Sequence, residues 1–161
     1  MQGFQPMLRM SRLTDYGTVV LSHMAHHAEG LHSAADVASS TRLAAPTVAK
    51  LLKIMARAGL VTSVRGPQGG YTLARRPADI SAADIIDALE GPVALTECST
   101  SDHSCELEAI CQVGGAWQQI NLSIREALRD ISLSQLMNVG RKRLPTMDLH
   151  SPLSAASGLK N

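Results

Sequence analysis

The stretch "SAADVASSTRLAAPTVAKLLKIMARAGLV", residues 33–61, decides the fold. Ser33 can cap a first helix, because a serine hydroxyl accepts a backbone N–H of the first turn. "STRLA" then interrupts the apolar period, Pro46 falls at an opening helical position where proline is tolerated, and Gly59 stops the second helix. Within that second helix Val48, Leu51, Leu52 and Met55 share one face, and Thr47, Lys50, Lys53 and Arg57 lie on the other. A short helix, a tight turn and a longer helix bearing cations is the helix-turn-helix arrangement.

The residues that follow, "LVTSVRGPQGGYTLARR" at 60–76, are two alternating β-like runs joined by a glycine- and proline-rich turn. A hairpin directly after a helix-turn-helix is a wing, and a narrow basic tip can follow a DNA backbone or enter the minor groove. On the second helix alone, Lys50, Lys53 and Arg57 would read as an ordinary solvated face; the hairpin reverses that. The expected DNA contacts are Arg42 in the turn, Thr47 and Lys50 near the start of the second helix, and Arg65, Gly66, Gln68 and Gly69 in the wing.

Upstream, "LTDYGTVVLSHMAHHA" (13–28) has helical spacing, with Thr14 or Asp15 able to cap it. His23 and His27 stand at i, i+4, but both fall on the apolar stripe and no acidic residue is placed to support a metal, so core packing is the simpler reading. Downstream, Ser81 to Glu90 forms another capped helix ended by Gly91-Pro92. A long helix from about Val113 to Ile131 then repeats Trp117, Ile120, Ile124, Leu128 and Ile131 at intervals of three and four. A helix this long in so small a chain calls for a partner helix, so these five residues are the expected homodimer contacts. "SLSQLMNVG" adds one short helix.

These elements give a mainly α fold: a winged helix-turn-helix domain at 8–91, a cysteine segment at 92–112, a dimerisation helix region at 113–138 and a disordered tail at 139–161. Composition agrees. The 161 residues include one Trp, two Tyr and one Phe, so the core must be aliphatic, which suits helices. Net charge is only +1, but residues 1–78 carry nine Lys/Arg against three Asp/Glu (+6), residues 79–131 two against ten (−8), and the remainder four against one (+3). The first part is built for a polyanion.

No signal peptide or membrane-length apolar run is visible, so a cytoplasmic location with no membrane partner is expected. No Ser/His/Asp arrangement, phosphate loop or paired catalytic carboxylates stand out, so neither an enzyme nor a small-molecule substrate is expected.

All three cysteines, Cys98, Cys105 and Cys111, sit in one segment with spacings C-x6-C and C-x5-C. In a reducing compartment an odd count argues for metal binding or redox chemistry over disulfides. Three soft thiolates suit an iron–sulfur centre or zinc, although zinc sites usually show a tighter C-x2-4-C knuckle. A reactive thiol is disfavoured by Glu97, Asp102, Glu106 and Glu108, whose charges oppose thiolate formation. An electron carrier would need no basic hairpin.

Three features, "RLTDYGTVVL" (12–21), "VRGPQGGYTLAR" (64–75) and the cysteine segment followed six residues later by Trp117, together resemble the winged-helix regulators of the IscR and NsrR type. The resemblance runs from about Leu8 to Met137, and "ALTECS" and "CELEAIC" look most like the branch that regulates the SUF iron–sulfur assembly system. It implies a homodimer on a palindromic double-stranded DNA operator, acting as a repressor whose affinity depends on an iron–sulfur cluster held by Cys98, Cys105 and Cys111. A 2Fe-2S centre is taken ahead of 4Fe-4S. The histidine that serves IscR-like members as fourth ligand is replaced by Gly114. Asp15, in "LTDYG", matches the carboxylate ligand of NsrR-like members and is the preferred fourth ligand, reaching the partner's cluster; His103 is the alternative. A structural zinc, thiol-based redox sensing and nitric oxide sensing are the competing uses of the same segment.

Overall fold

The computed structural model describes residues 10–96 and 112–139. Their order is α1 (Arg12–His26), α2 (Ala34–Thr41), α3 (Ala45–Arg57), β1 (Val61–Val64), β2 (Gly70–Leu73), a single 3-10 turn at Pro77–Asp79, α4 (Ala82–Leu89), α5 (Gly114–Arg129) and α6 (Leu133–Val139). This is the expected mainly helical winged-helix architecture. The three cysteines, His103 and the proposed tail beyond Val139 lie outside the described residues.

Local chemistry explains the boundaries. The cap of α1 is Ser11, not Thr14 or Asp15: its hydroxyl accepts the Leu13 N–H at 3.1 Å. Thr14 is spent elsewhere, donating its hydroxyl to Glu90 at 2.5 Å. Ser33 caps α2 as expected, accepting the Asp36 N–H at 3.1 Å. α3 opens one residue earlier than the proline suggests, with Ala44 as an N-cap that offers no side-chain hydrogen bond and Pro46 at the second helical position. Its end is a Schellman arrangement: Gly59 adopts φ 73°, its N–H meets the Ala56 carbonyl at 3.2 Å, and the Leu60 N–H meets the Met55 carbonyl at 2.9 Å. Ser81 and Asp84 form a reciprocal capping box at the start of α4, with bonds of 3.0 and 3.1 Å.

The core is aliphatic. Val20, Leu21 and Met24 of α1 meet Val48, Leu51, Leu52 and Met55 of α3, with Val37, Leu60, Ile80, Ile85 and Leu133 closing the cluster. Gly17 of α1 is buried, and a side chain there would collide with Leu89, so glycine sets how closely α1 and α4 approach. Two ties lie beyond sequence reading. The chain before α6 docks on α4 through the Ala82 N–H to the Ile131 carbonyl and the Leu133 N–H to the Ile80 carbonyl, both 2.7 Å. His32, in the α1–α2 loop, pairs with Tyr71 through backbone bonds of 2.8 and 2.9 Å and adds a third strand position to the wing.

Candidate nucleic-acid interface

β1 and β2 are antiparallel, with Val61 opposite Leu73 and Val64 opposite Gly70. Val61 is buried at the base of the hairpin, so the wing is anchored in the core while Arg65, Gly66, Pro67 and Gln68 project into solvent. Two glycines shape the tip for different reasons. Gly66 has φ 130°, a region L side chains rarely adopt, and Gly69 has no room for a side chain because Val64 and Gly66 backbone atoms already crowd it.

On α3 the burial of Val48, Leu51, Leu52 and Met55 forces Pro46, Lys50, Lys53 and Arg57 outward, and all four are exposed. Thr47 is half-buried at the edge of this face. Arg42 is exposed and caps α2 in the left-handed region, φ 57°, a conformation that costs a non-glycine residue roughly 1–2 kcal/mol. The turn between α2 and α3 therefore bears strain that packing on both sides must hold.

Electrostatic pairing separates two sets of cations. Arg75 pairs with Asp84 at 3.2 Å, Arg76 with Asp79 at 2.7 Å and Arg125 with Asp87 at 3.0 Å. Arg42, Lys50, Lys53, Arg57 and Arg65 have no ion pair among the described residues. Arg76 and Asp79 reinforce each other through their mutual hydrogen bond, which raises the guanidinium pKa and lowers the carboxyl one. Arg12 of α1 and Arg129 of α5 are likewise unpaired, but five of the seven unpaired cations among the described residues lie on the α3 face, its turn and the wing, where a polyanion would find them.

The cysteine segment leaves from the end of α4, and one carboxylate ties that point to α1. Glu90 accepts the Ser11 N–H at 2.9 Å and the Thr14 hydroxyl at 2.5 Å, and these bonds lower its pKa. Asp15 sits exposed in the same turn, and its carboxylate has no hydrogen bond or ion pair among the described residues. It borders an apolar groove of about 520 Å³ whose walls include Val19, Ile85, Leu128 and Ile131. Among the described residues no group of three His, Cys, Asp or Glu side chains is arranged to hold a metal ion. His23 and His27 follow suit: their rings are 4.6 Å apart, but His27 is exposed on the surface, contrary to the core placement expected from the stripe. Residue spacing put it there; the helix ends at His26, so His27 leaves the stripe.

α5 presents its apolar side outward. Asn121 is its buried residue, accepting the Leu95 N–H at 3.3 Å, and Arg125 on the same side reaches Asp87. Trp117 and Ile120 remain 42% and 44% exposed, Ile131 beyond the helix 41%, and Ile124 and Leu128 are half-buried. Ile124 and Leu128 turn partly toward α4, bordering apolar grooves with Ile86, whereas Trp117 and Ile120 stay largely open to solvent among the described residues.

Residues 10–139 match the family model described as "Rrf2: Iron-dependent Transcriptional regulator". The chain belongs to the Rrf2 family. It is 32% identical over 120 residues to the HTH-type transcriptional regulator IscR of Aliivibrio salmonicida, covering 74% of this chain and 71% of that one. Among solved structures, CymR, the global cysteine regulator of B. subtilis, superposes with TM-score 0.64 at 31% identity, covering 83% of this chain and 98% of that one. T. potens IscR superposes with TM-score 0.61 at 31% identity, covering 86% and 94%. This Rrf2 protein is accordingly a winged-helix transcription regulator that binds DNA, and not an enzyme. No described helix is long and apolar enough to cross a membrane.

Proposed function

We propose that this Rrf2 protein is a cytoplasmic, dimeric repressor of iron–sulfur cluster assembly genes, and that an iron–sulfur cluster on Cys98, Cys105 and Cys111 sets its affinity for a palindromic operator. The observation that carries the DNA half of this reading is the segregation of cations: those on α3, its turn and the wing are unpaired, while Arg75, Arg76 and Arg125 are consumed by carboxylates. Thr47, Lys50 and Arg42 would address the major groove and flanking phosphates, with Arg65, Gly66, Gln68 and Gly69 following the backbone or minor groove.

The dimer rests on α5. A helix that turns Asn121 and Arg125 toward its own domain and Trp117 and Ile120 toward solvent gains by pairing with a second copy, which would cover the stripe from Trp117 to Ile131. Two recognition helices then read two half-sites whose spacing the dimer determines.

The donor set fits the cofactor in its chemistry: three thiolates are soft ligands, and an exposed, unengaged Asp15 carboxylate can supply a harder fourth. When bound, such a cluster supplies a redox-sensitive and chemically labile centre. Glu90 holds Asp15's turn against the exit of α4, so the position of that carboxylate is coupled to where the cysteine segment begins. The 2Fe-2S form is preferred over 4Fe-4S, and nitric oxide or redox change are signals such a centre could report. A second reading draws on the likeness to CymR, named as a cysteine regulator: the cysteines would then hold zinc or act as thiols.

Iron, acid-labile sulfide and zinc per subunit of anaerobically purified protein, with operator affinity of loaded and cluster-free forms, test the proposal. Equal iron and sulfide with a difference in affinity supports it. Equal affinity of the two forms, or zinc without sulfide, refutes the sensing role and leaves the second reading.

A further inference from the structure

A recognition helix reads base edges with its N-terminal residues, and the first two turns of α3 are unusual in what they offer there. Ala45 and Pro46 are exposed and Ala49 is half-buried, yet none of the three belongs to the core cluster or packs on it, whereas Ala56, two turns on, does. Thr47 and Lys50 are the hydrogen-bonding side chains of residues 45–52; Lys50 can address guanine, but no Arg, Asn or Gln is present to read a base edge with a planar fork or amide. Pro46 stands at the head of the outward row that Lys50, Lys53 and Arg57 continue, and Ala49 flanks it on the next turn. Lys53 and Arg57 therefore fall toward the helix C-terminus, where they suit phosphates, and beside Thr47 and Lys50 the reading end offers a small hydrocarbon surface at Pro46 and Ala49. In the major groove the apolar feature of a base edge is the thymine C5-methyl group.

We propose that Pro46 and Ala49 are specificity-determining residues that read thymine methyl groups in the major groove, so that each operator half-site carries a thymine packed against them. This rests on the reading of α3 as the helix that enters DNA. Smallness is the mechanism: a longer side chain at 46 or 49 would hold the helix away from the bases, and a polar one would lose its water against a methyl group without gaining a partner.

The test begins by selecting high-affinity duplexes from a random pool with the full-length protein, then replacing each thymine singly with deoxyuridine, which keeps every hydrogen-bonding group and lacks only the methyl. Affinity is expected to fall about four-fold at one or two thymines per half-site, the factor corresponding to roughly 0.8 kcal/mol for one buried carbon. At those positions the thymine-to-uridine ratio should collapse toward one in the Pro46→Ser/Ala49→Gly double variant, while Lys53→Ala weakens thymine and uridine duplexes alike. Ala49→Ser, which keeps helix propensity closer to native, serves if the double variant melts early. Uridine tolerated at every position overturns the assignment, as does a ratio unchanged in the variants, which would place the methyl effect elsewhere on the protein or in DNA shape. Binding without any selected sequence would instead remove α3 from its recognition role, a failure distinct from the loss of methyl discrimination alone.

Discussion

Replacing Gly69 with alanine should cripple DNA binding while leaving the helical core intact. A Cβ at this position would lie 2.9 Å from the Gly66 carbonyl oxygen and 3.1 Å from the Gly66 nitrogen, and closer still to the Val64 carbonyl oxygen. All three are backbone atoms, so no rotamer change relieves the clash. The Gly69 N–H also closes the tip by donating to the Gly66 carbonyl at 2.9 Å, and Gly70 beside it is paired with Val64. Overpacking of this kind costs about 1–3 kcal/mol. Because the tip is exposed and the core cluster lies at the hairpin's base, that cost falls on the wing's conformation and not on global unfolding. If only the native tip is competent to bind, its depopulation lowers apparent affinity by the same factor, between about five-fold and about 150-fold. Fluorescence anisotropy with an operator duplex reads the affinity, and thermal unfolding by circular dichroism reads the core. Unchanged affinity with an unchanged melt would refute the claim that the wing contributes to binding.

Acidification should weaken the fold through His23. Burial lowers its pKa first, and the neighbouring His27, His32 and His26 lower it further. The unfolded chain then binds the proton more tightly, so this stability is present above the ordinary histidine pKa of about 6.5 and is lost as pH falls through it. Urea midpoints between pH 7.5 and 5.5 should drop for the native protein and drop less for His23→Leu. Ser81→Ala breaks the capping box and should cost about 1 kcal/mol in denaturant titration, with Asp84→Ala no worse than additive if the two bonds act independently. Ile120→Asp should convert the proposed dimer to monomer in sedimentation experiments with the helical circular dichroism spectrum retained; an unaltered sedimentation coefficient would count against α5 as the interface.

Much of the fold was legible because it depends on local chemistry. Ser33, Ser81 and Gly59 act where their side chains or lack of one direct them, and the spacing of Val48, Leu51, Leu52 and Met55 orients α3 without further information. Sequence reading failed where a distant residue competes for the same atom. Thr14 looked like a cap, but Glu90, 76 residues away, takes its hydroxyl and leaves the cap to Ser11. The His32–Tyr71 pairing and the docking of Leu133 beside Ile80 likewise join segments far apart in the chain. The apolar stripe of α5 was visible in its period, but a period gives a face and not what the face meets.

That distinction bears on how the site is built. Seen by charge alone, Arg75, Arg76 and Lys50 are equivalent contributors to a basic N-terminal half, yet Arg75 and Arg76 are directed onto Asp84 and Asp79. These pairs are solvent-screened surface contacts and contribute too little to explain them as supports of the fold. Their larger effect is on the field: pairing offsets Arg75 and Arg76 behind the wing, while Arg42, Lys50, Lys53, Arg57 and Arg65 keep uncompensated charge on the turn, α3 and the tip. A polyanion approaching the molecule is thereby drawn to the face that presents Pro46, Ala49 and Lys50 together, where long-range attraction hands over to contact chemistry.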